Sequence, residues 1–164
     1  DSRTRPVVGR TRKSMGVCPI KRSRYVLFSK KEKNIAINDV KDLSKYKTGV
    51  VKDDAGGLML LAKGVPNSSL VIEYGTTGEK SNLRNLKENN IDLWIIEESS
   101  GRFLMSAENI NQDDYKIVYD IEGKELCIAF NKETDEKIIK NLQTIMDDMV
   151  KTKVTQTIID KYKK

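Results

Sequence analysis

Thr48-Gly49-Val50-Val51-Lys52-Asp53-Asp54-Ala55-Gly56-Gly57-Leu58-Met59-Leu60-Leu61-Ala62-Lys63-Gly64-Val65-Pro66 is the stretch that decides the fold class. Thr48 to Val51 is short and β-branched, which predicts a strand. Lys52 to Gly57 is polar and carries two glycines, which predicts a loop. Leu58 to Lys63 reads as a helix, with Asp53 or Asp54 supplying a carboxylate to its first free N–H groups. Gly64 stands where a left-handed C-terminal cap is wanted, and Pro66 stops the helix. Leu70-Val71-Ile72-Glu73-Tyr74 is the next strand.

The same alternation extends in both directions. Upstream, Tyr25-Val26-Leu27-Phe28 is a β-rich run ended by Ser29-Lys30-Lys31-Glu32-Lys33, and Asn38 to Leu43 reads as one capped helical turn. Downstream, Ser81 caps a predicted helix to about Asn89, with Leu83 and Leu86 on one face. Ile91 to Ile96 is apolar almost throughout, which suits a central strand covered on both faces, and Glu97 ends it. A helix over Ser99 to Ser106 and strands at Tyr115 to Ile121 and Leu126 to Phe130 follow. Thr134 or Asp135 caps a long helix whose Ile138, Ile139, Leu142, Ile145, Met146 and Met149 form a wide apolar stripe. A short last helix turns Val154, Ile158 and Tyr162 inward. Strands alternating with helices argue for an α/β sheet with parallel neighbours.

Composition removes whole classes of function. The chain has 164 residues, of which 38% are hydrophobic and 33% charged. That is too apolar for a disordered chain and too polar for a membrane protein. Histidine is absent, which excludes Ser-His-Asp and Cys-His catalysis and any His-ligated metal. Cys18 and Cys127 are too few for a structural zinc. The net charge of +6 gathers at the two ends of the chain. No aromatic residues interleave with the basic ones as a base-stacking surface requires, so the excess reads as solvated surface and not as a nucleic-acid site.

Several stretches together resemble the family-3 periplasmic solute-binding proteins, the polar amino-acid receptors of ABC importers. Arg10, nine residues before Pro19, looks like the arginine and closing proline at that family's first interlobe crossover. Val26 to Lys31 followed by Val40-Lys41-Asp42-Leu43 is similar to its strand and "DL" turn. Thr48 to Gly56 looks like its ligand loop. Asn89-Asn90-Ile91-Asp92-Leu93-Trp94 resembles its "G-x-x-D-A" stretch. Cys127 to Lys132 and Ile158 to Tyr162 match its C-terminal pattern.

The resemblance implies a type II periplasmic-binding-protein-like α/β fold. Residues 1–23 would be crossover and a remnant of lobe 1, 24–122 a complete lobe 2, and 123–164 the return crossover and C-terminal helices of lobe 1. The family's remaining lobe-1 segment and its stacking aromatics would stand ahead of this sequence. An orphaned lobe-1 remnant would leave the stripe from Ile138 to Met149 uncovered, which favours a swapped or self-associated dimer. Both cysteines would lie at the paired crossovers; they are either two free buried thiols, the default, or a disulfide.

The same resemblance implies a ligand site without catalytic residues, metal or cofactor. Arg10 would grip a ligand carboxylate bidentately; read alone, it is equally a surface arginine. Lys52, Asp54, Ala55 and Gly56 form a strand-to-helix loop attractive to anions, or simply an Asp-capped helix start. Asp53 and Asp54, where the family has Ser or Thr, repel a carboxylate and point to more cationic ligands. Glu97 stands where the family keeps an Asp for the α-ammonium, at the strand edge where open α/β sheets place ligands. Glu98 reads as solvated, Asp92 as structural and Trp94 as core. The implied protein is an extracytoplasmic receptor that closes on a small polar ligand and partners a membrane ABC permease. A sensory ectodomain and a dehydratase or lyase on the same scaffold are the alternatives.

Overall fold

The structure, a computed structural model, describes residues 5–7, 14–121, 123 and 125–161, those up to residue 15 by backbone alone. The elements run β1 (Arg5–Val7), β2 (Ser14–Arg22), β3 (Tyr25–Lys30), β4 (Thr48–Val51), α1 (Ala55–Ala62), β5 (Leu70–Glu73), α2 (Gly78–Lys87), β6 (Leu93–Glu97), α3 (Glu98–Ala107), β7 (Tyr115–Ile121), β8 (Glu125–Phe130), α4 (Glu136–Lys151) and α5 (Val154–Lys161). They form two compact units. One comprises residues 24–122, the other residues 1–23 and 123–164.

The unit of residues 24–122 is a five-stranded mixed sheet in the order β5-β4-β6-β3-β7. β4 runs parallel to β5 and to β6, while β3 is antiparallel to β6 and β7. β6 takes the central place its apolar run predicts. Successive strand side chains point to opposite faces, so Leu93 and Ile95 enter one core with Leu27, Leu43, Val50 and Leu60. Trp94 and Ile96 enter the other with Val26, Phe28, Leu83, Leu86 and Met105. Burial in these cores is worth roughly 1.5–3 kcal/mol for each large side chain.

Two helices begin earlier than the sequence predicts. α1 starts at Ala55, so Gly56 and Gly57 are helix and not loop. A Cβ on Gly56 would come within 3.2 Å of Ile95, and one on Gly57 within 3.4 Å of Val50. These glycines let the first turn lie close on the sheet. α2 starts at Gly78, not at Ser81, because Gly78 likewise seats the turn against Val51, 2.9 Å from where a Cβ would stand. The far end of α1 follows expectation. Gly64 has φ +85°, and its N–H and that of Val65 donate to Leu61 and Leu60, which is the Schellman arrangement.

In the other unit, β1, β2 and β8 form an antiparallel sheet. The β2–β8 register slips between Val17 and Lys21. At the slip Cys18 and Cys127 form a disulfide, with Cα atoms 4.6 Å apart. The default expectation of two free thiols is thereby corrected. The slip also takes Cys18 out of the ladder, and the buried Gln143 of α4 replaces the lost strand contact. Its Oε1 accepts from the Cys18 N–H at 2.9 Å and its Nε2 donates to the Cys18 carbonyl at 2.6 Å. α4 therefore rests on β2 through Ile139 and Gln143, and the apolar stripe is only partly covered: Ile138, Leu142 and Ile145 are exposed. On α5, Val154 and Ile158 are exposed too, against the inward reading, and Tyr162 lies outside the described residues. Among the described residues no helix is long and apolar enough to cross a membrane.

Candidate functional site

Parallel pairing sets the carboxyl ends of β4, β5 and β6 along one edge of the five-stranded sheet. Val51 stands opposite Glu73, and the antiparallel β3 contributes its first residue, Tyr25, opposite Glu97. Lys52 to Gly56, Tyr74, Glu97 and Tyr25 therefore share this edge. Open α/β sheets bind their ligands at such edges.

Lys52 follows β4 directly and is tied by its backbone N–H to the Glu73 carbonyl at 2.9 Å. Its ammonium lies 5.5 Å from the ring centroid of the exposed Tyr74. Asp53 takes a left-handed turn with φ +62°. Asp54 caps α1, its carboxylate accepting from the Gly56 N–H at 3.4 Å. Ala55 is the exposed first residue of α1, and Gly56 is buried beneath it. A helix N-terminus attracts an anion, but here the attraction is already answered by a carboxylate of the chain itself.

Glu97 is the last residue of β6 and caps α3. Its carboxylate accepts from the Ser99 hydroxyl and from the Ser100 N–H and hydroxyl, each at 3.0 Å. Glu98, expected to be solvated, is instead largely covered and bridges Arg24 and Arg102. Burial lifts its pKa, but the hydrogen bonds from Arg102 and Arg24 outweigh that and hold it below the ordinary value. Arg24 also reaches Asp120 at 2.7 Å. The strand-end Glu97 thus sits next to a braced ion-pair network.

Glu79, in the first turn of α2, carries no local sequence signal that marks it as part of a site. It accepts a 2.7 Å hydrogen bond from the indole N–H of the fully buried Trp94. Burial raises its carboxyl pKa to about 7; the Trp94 bond opposes the rise, the Asp54 charge adds to it, and Asn82 opposes it more weakly. Tyr25 is also raised, first by burial and then by Asp54, Glu97 and Glu79. The edge is therefore a place of converging negative charge. Trp94 is core, as read. Asp92 is structural, as read, accepting from Lys33 at 2.6 Å and from the Lys47 N–H at 3.0 Å. Burial raises its pKa, but these bonds outweigh it and leave it lowered. Arg10 lies outside the described residues.

No group of three or more metal-ligating side chains occurs among the described residues. A cavity of about 580 Å³ lies at the opposite end of the sheet, between the end of β3 and the start of β7, lined by Lys30, Lys87 and Tyr115 among others. None of the expected ligand residues lines it.

No family model matches the sequence, and no curated protein matches it. Solved structures do. AbpA, an amino-acid ABC transporter substrate-binding protein of Streptococcus pneumoniae bound to L-arginine, is similar at TM-score 0.69 and 21% identity, over 92% of this chain and 61% of that one. An arginine transport-system periplasmic binding protein of Legionella pneumophila is similar at TM-score 0.69 and 17% identity, over 96% and 68%. A histidine kinase sensor domain is similar at TM-score 0.71 and 16% identity, over 92% and 63%. The chain thus has the type II periplasmic-binding-protein fold and spans less than two thirds of the length of the first of these structures.

Proposed function

Proceeding from that fold, we propose that the chain binds a small cationic amino acid, with arginine first among candidates, at the carboxyl ends of β4, β5 and β6. Outside the cytoplasm it would serve as receptor for an ABC-type permease. The unit of residues 24–122 is lobe 2 in this reading, with 1–23 and 123–164 belonging to crossovers and lobe 1. The carrying observation is that Asp54 occupies the α1 N-terminus while Glu97 holds a second carboxylate at the same edge. A ligand carboxylate is repelled there, and an ammonium or guanidinium gains charge-assisted hydrogen bonds. Glu97 takes the α-ammonium, Asp54 the distal cation, and Lys52, Ala55 and Gly56 form the wall between. Arg10 is proposed for the ligand carboxylate. The arginine bound in one similar structure supports the ligand class, and the disulfide supports an oxidising compartment.

Calorimetric titration with L-arginine, L-lysine, L-glutamine and L-glutamate tests the reading. Arginine or lysine binds, glutamate does not, and Glu97→Gln weakens binding about tenfold or more, the scale of one charged hydrogen bond. Preference for glutamate, or an unchanged affinity in Glu97→Gln, overturns it. A sensory ectodomain is the second reading, favoured by the similarity to the histidine kinase sensor domain. A coding sequence that continues past Lys164 through a membrane span into a kinase would establish it.

A further inference from the structure

Glu79 is a carboxyl group without a counter-cation. Trp94 Nε1, fully buried in β6, donates to it, and the neutral Asn82 side chain of its own helix also favours its ionised form. The groups at this edge that act on it or stand at the neighbouring strand ends are acidic or neutral. Tyr25 comes from β3, and Asp54 from the loop after β4. Glu73, at the end of β5, accepts from Asn85 of the same helix at 2.8 Å. Glu97, at the end of β6, is engaged by the serines of α3. The nearest cation along α2, Lys80, pairs away with Glu108 at 2.7 Å. Lys52 leans over Tyr74. Among the described residues no lysine or arginine touches the Glu79 carboxylate.

A half-buried carboxyl without a counter-cation, within reach of the Asp54 charge, is a charge waiting for a partner. We propose that Glu79 is a specificity-determining residue of this site, which gives up its proton when a cationic ligand docks at the strand ends. The inference rests on the ligand reading above and adds proton coupling to it. A cation at Asp54 and Glu97 lowers the local negative potential and so stabilises the ionised Glu79; by linkage, ionised Glu79 strengthens binding of the cation. Burial already holds the group near neutrality, at about 7, so the exchange falls within the physiological range. A neutral or anionic amino acid brings no distal cation to Asp54 and gains less from it, which sharpens selection for the cation.

The test is titration with L-arginine at pH 7 in phosphate and in imidazole, buffers that differ in ionisation heat. The heats should differ by on the order of half a proton released per arginine bound. Affinity should be about fivefold tighter at pH 8 than at pH 6 if the ligand lowers the Glu79 pKa by about one unit. Glu79→Gln, which keeps an acceptor for Trp94, should bind arginine with no buffer-dependent heat and a flat pH profile. Asp54→Asn, which keeps the helix cap, should weaken binding and move its pH midpoint downward. Arginine binding with equal heats in both buffers overturns the proposal and leaves the ligand reading standing. So does proton release that persists in Glu79→Gln. Absence of binding by every variant at every pH overturns the ligand reading itself, and this one with it.

Discussion

The two units of this chain are stabilised by different physics. In the unit of residues 24–122 a sheet is covered on both faces, and Leu27, Leu43, Leu93 and Trp94 have no accessible surface. In the other unit only Val17 and Ile139 are buried apolar side chains among the described residues. Its sheet is joined instead by a disulfide and by the amide of Gln143. Apolar burial is distributed and redundant, whereas a cross-link and a single buried amide are point fastenings. The candidate ligand edge belongs to the first kind of structure, which suits a site that must hold its geometry.

The widest separation between the units should come from truncating one side chain in each. Leu27→Ala should cost about 2–5 kcal/mol, because it opens a cavity in a closed core. Ile145→Ala, at a position 56% exposed, should cost under about 0.5 kcal/mol. Denaturant unfolding followed by the fluorescence of Trp94, the one tryptophan of the chain, measures the first, and helix circular dichroism the second. Equal losses would break the comparison.

Replacing Cys18 and Cys127 by Ser should come next, at about 2–3 kcal/mol, and should be confined to the smaller unit. The bridge closes a separation of 109 residues, but most of that length is the folded 24–122 unit, which shortens the effective loop. The helix signal should then melt at lower denaturant while the Trp94 transition stays in place. A shift of both together would show that the units unfold as one.

Glu79→Gln gives a smaller effect than the core truncation or the loss of the bridge, and its size depends on pH. The folded carboxyl titrates near 7, against 4.5 ordinarily. Protonated Glu79 is therefore favoured by folding, and the stability it supplies is full at acidic pH and lost as pH rises through 7. Gln cannot ionise. The variant should match the wild type at pH 5 and exceed it at pH 8 by about 1–2 kcal/mol, after allowance for partial exposure. A variant less stable at pH 8 would mean that ionised Glu79 has a stabilising partner.

Strand positions from β3 onward and the central place of β6 were legible because period-two burial and long apolar runs are local signals; β1 and β2 were not, because the sequence ahead of Tyr25 shows no clear period. Gly64 and Asp135 were legible, since cap chemistry is written within a few residues. Helix starts at Ala55 and Gly78 were not. Glycine reads as loop locally, and its need here arises from Ile95 and Val51 across the packing interface. Glu79 escaped because its partner, Trp94, is 15 residues away and on another element. The disulfide depended on a register slip that no periodicity records. Expected site residues from Lys52 to Gly56 and Glu97 do share one edge; the cap at Asp54 was legible from its loop, whereas that of Glu97 became visible only with α3 in place.

Tyr25 stands opposite Ile121 on adjacent strands, so the first and last strands of the 24–122 unit are neighbours. Arg24 and Asp120 join across the same gap. A segment that begins and ends at one point can be lifted out or spliced into an exposed turn of another protein without stretching its host. It is, in effect, a cassette: transplanted with its Arg24–Asp120 clasp, it should carry the acidic strand-end edge with it.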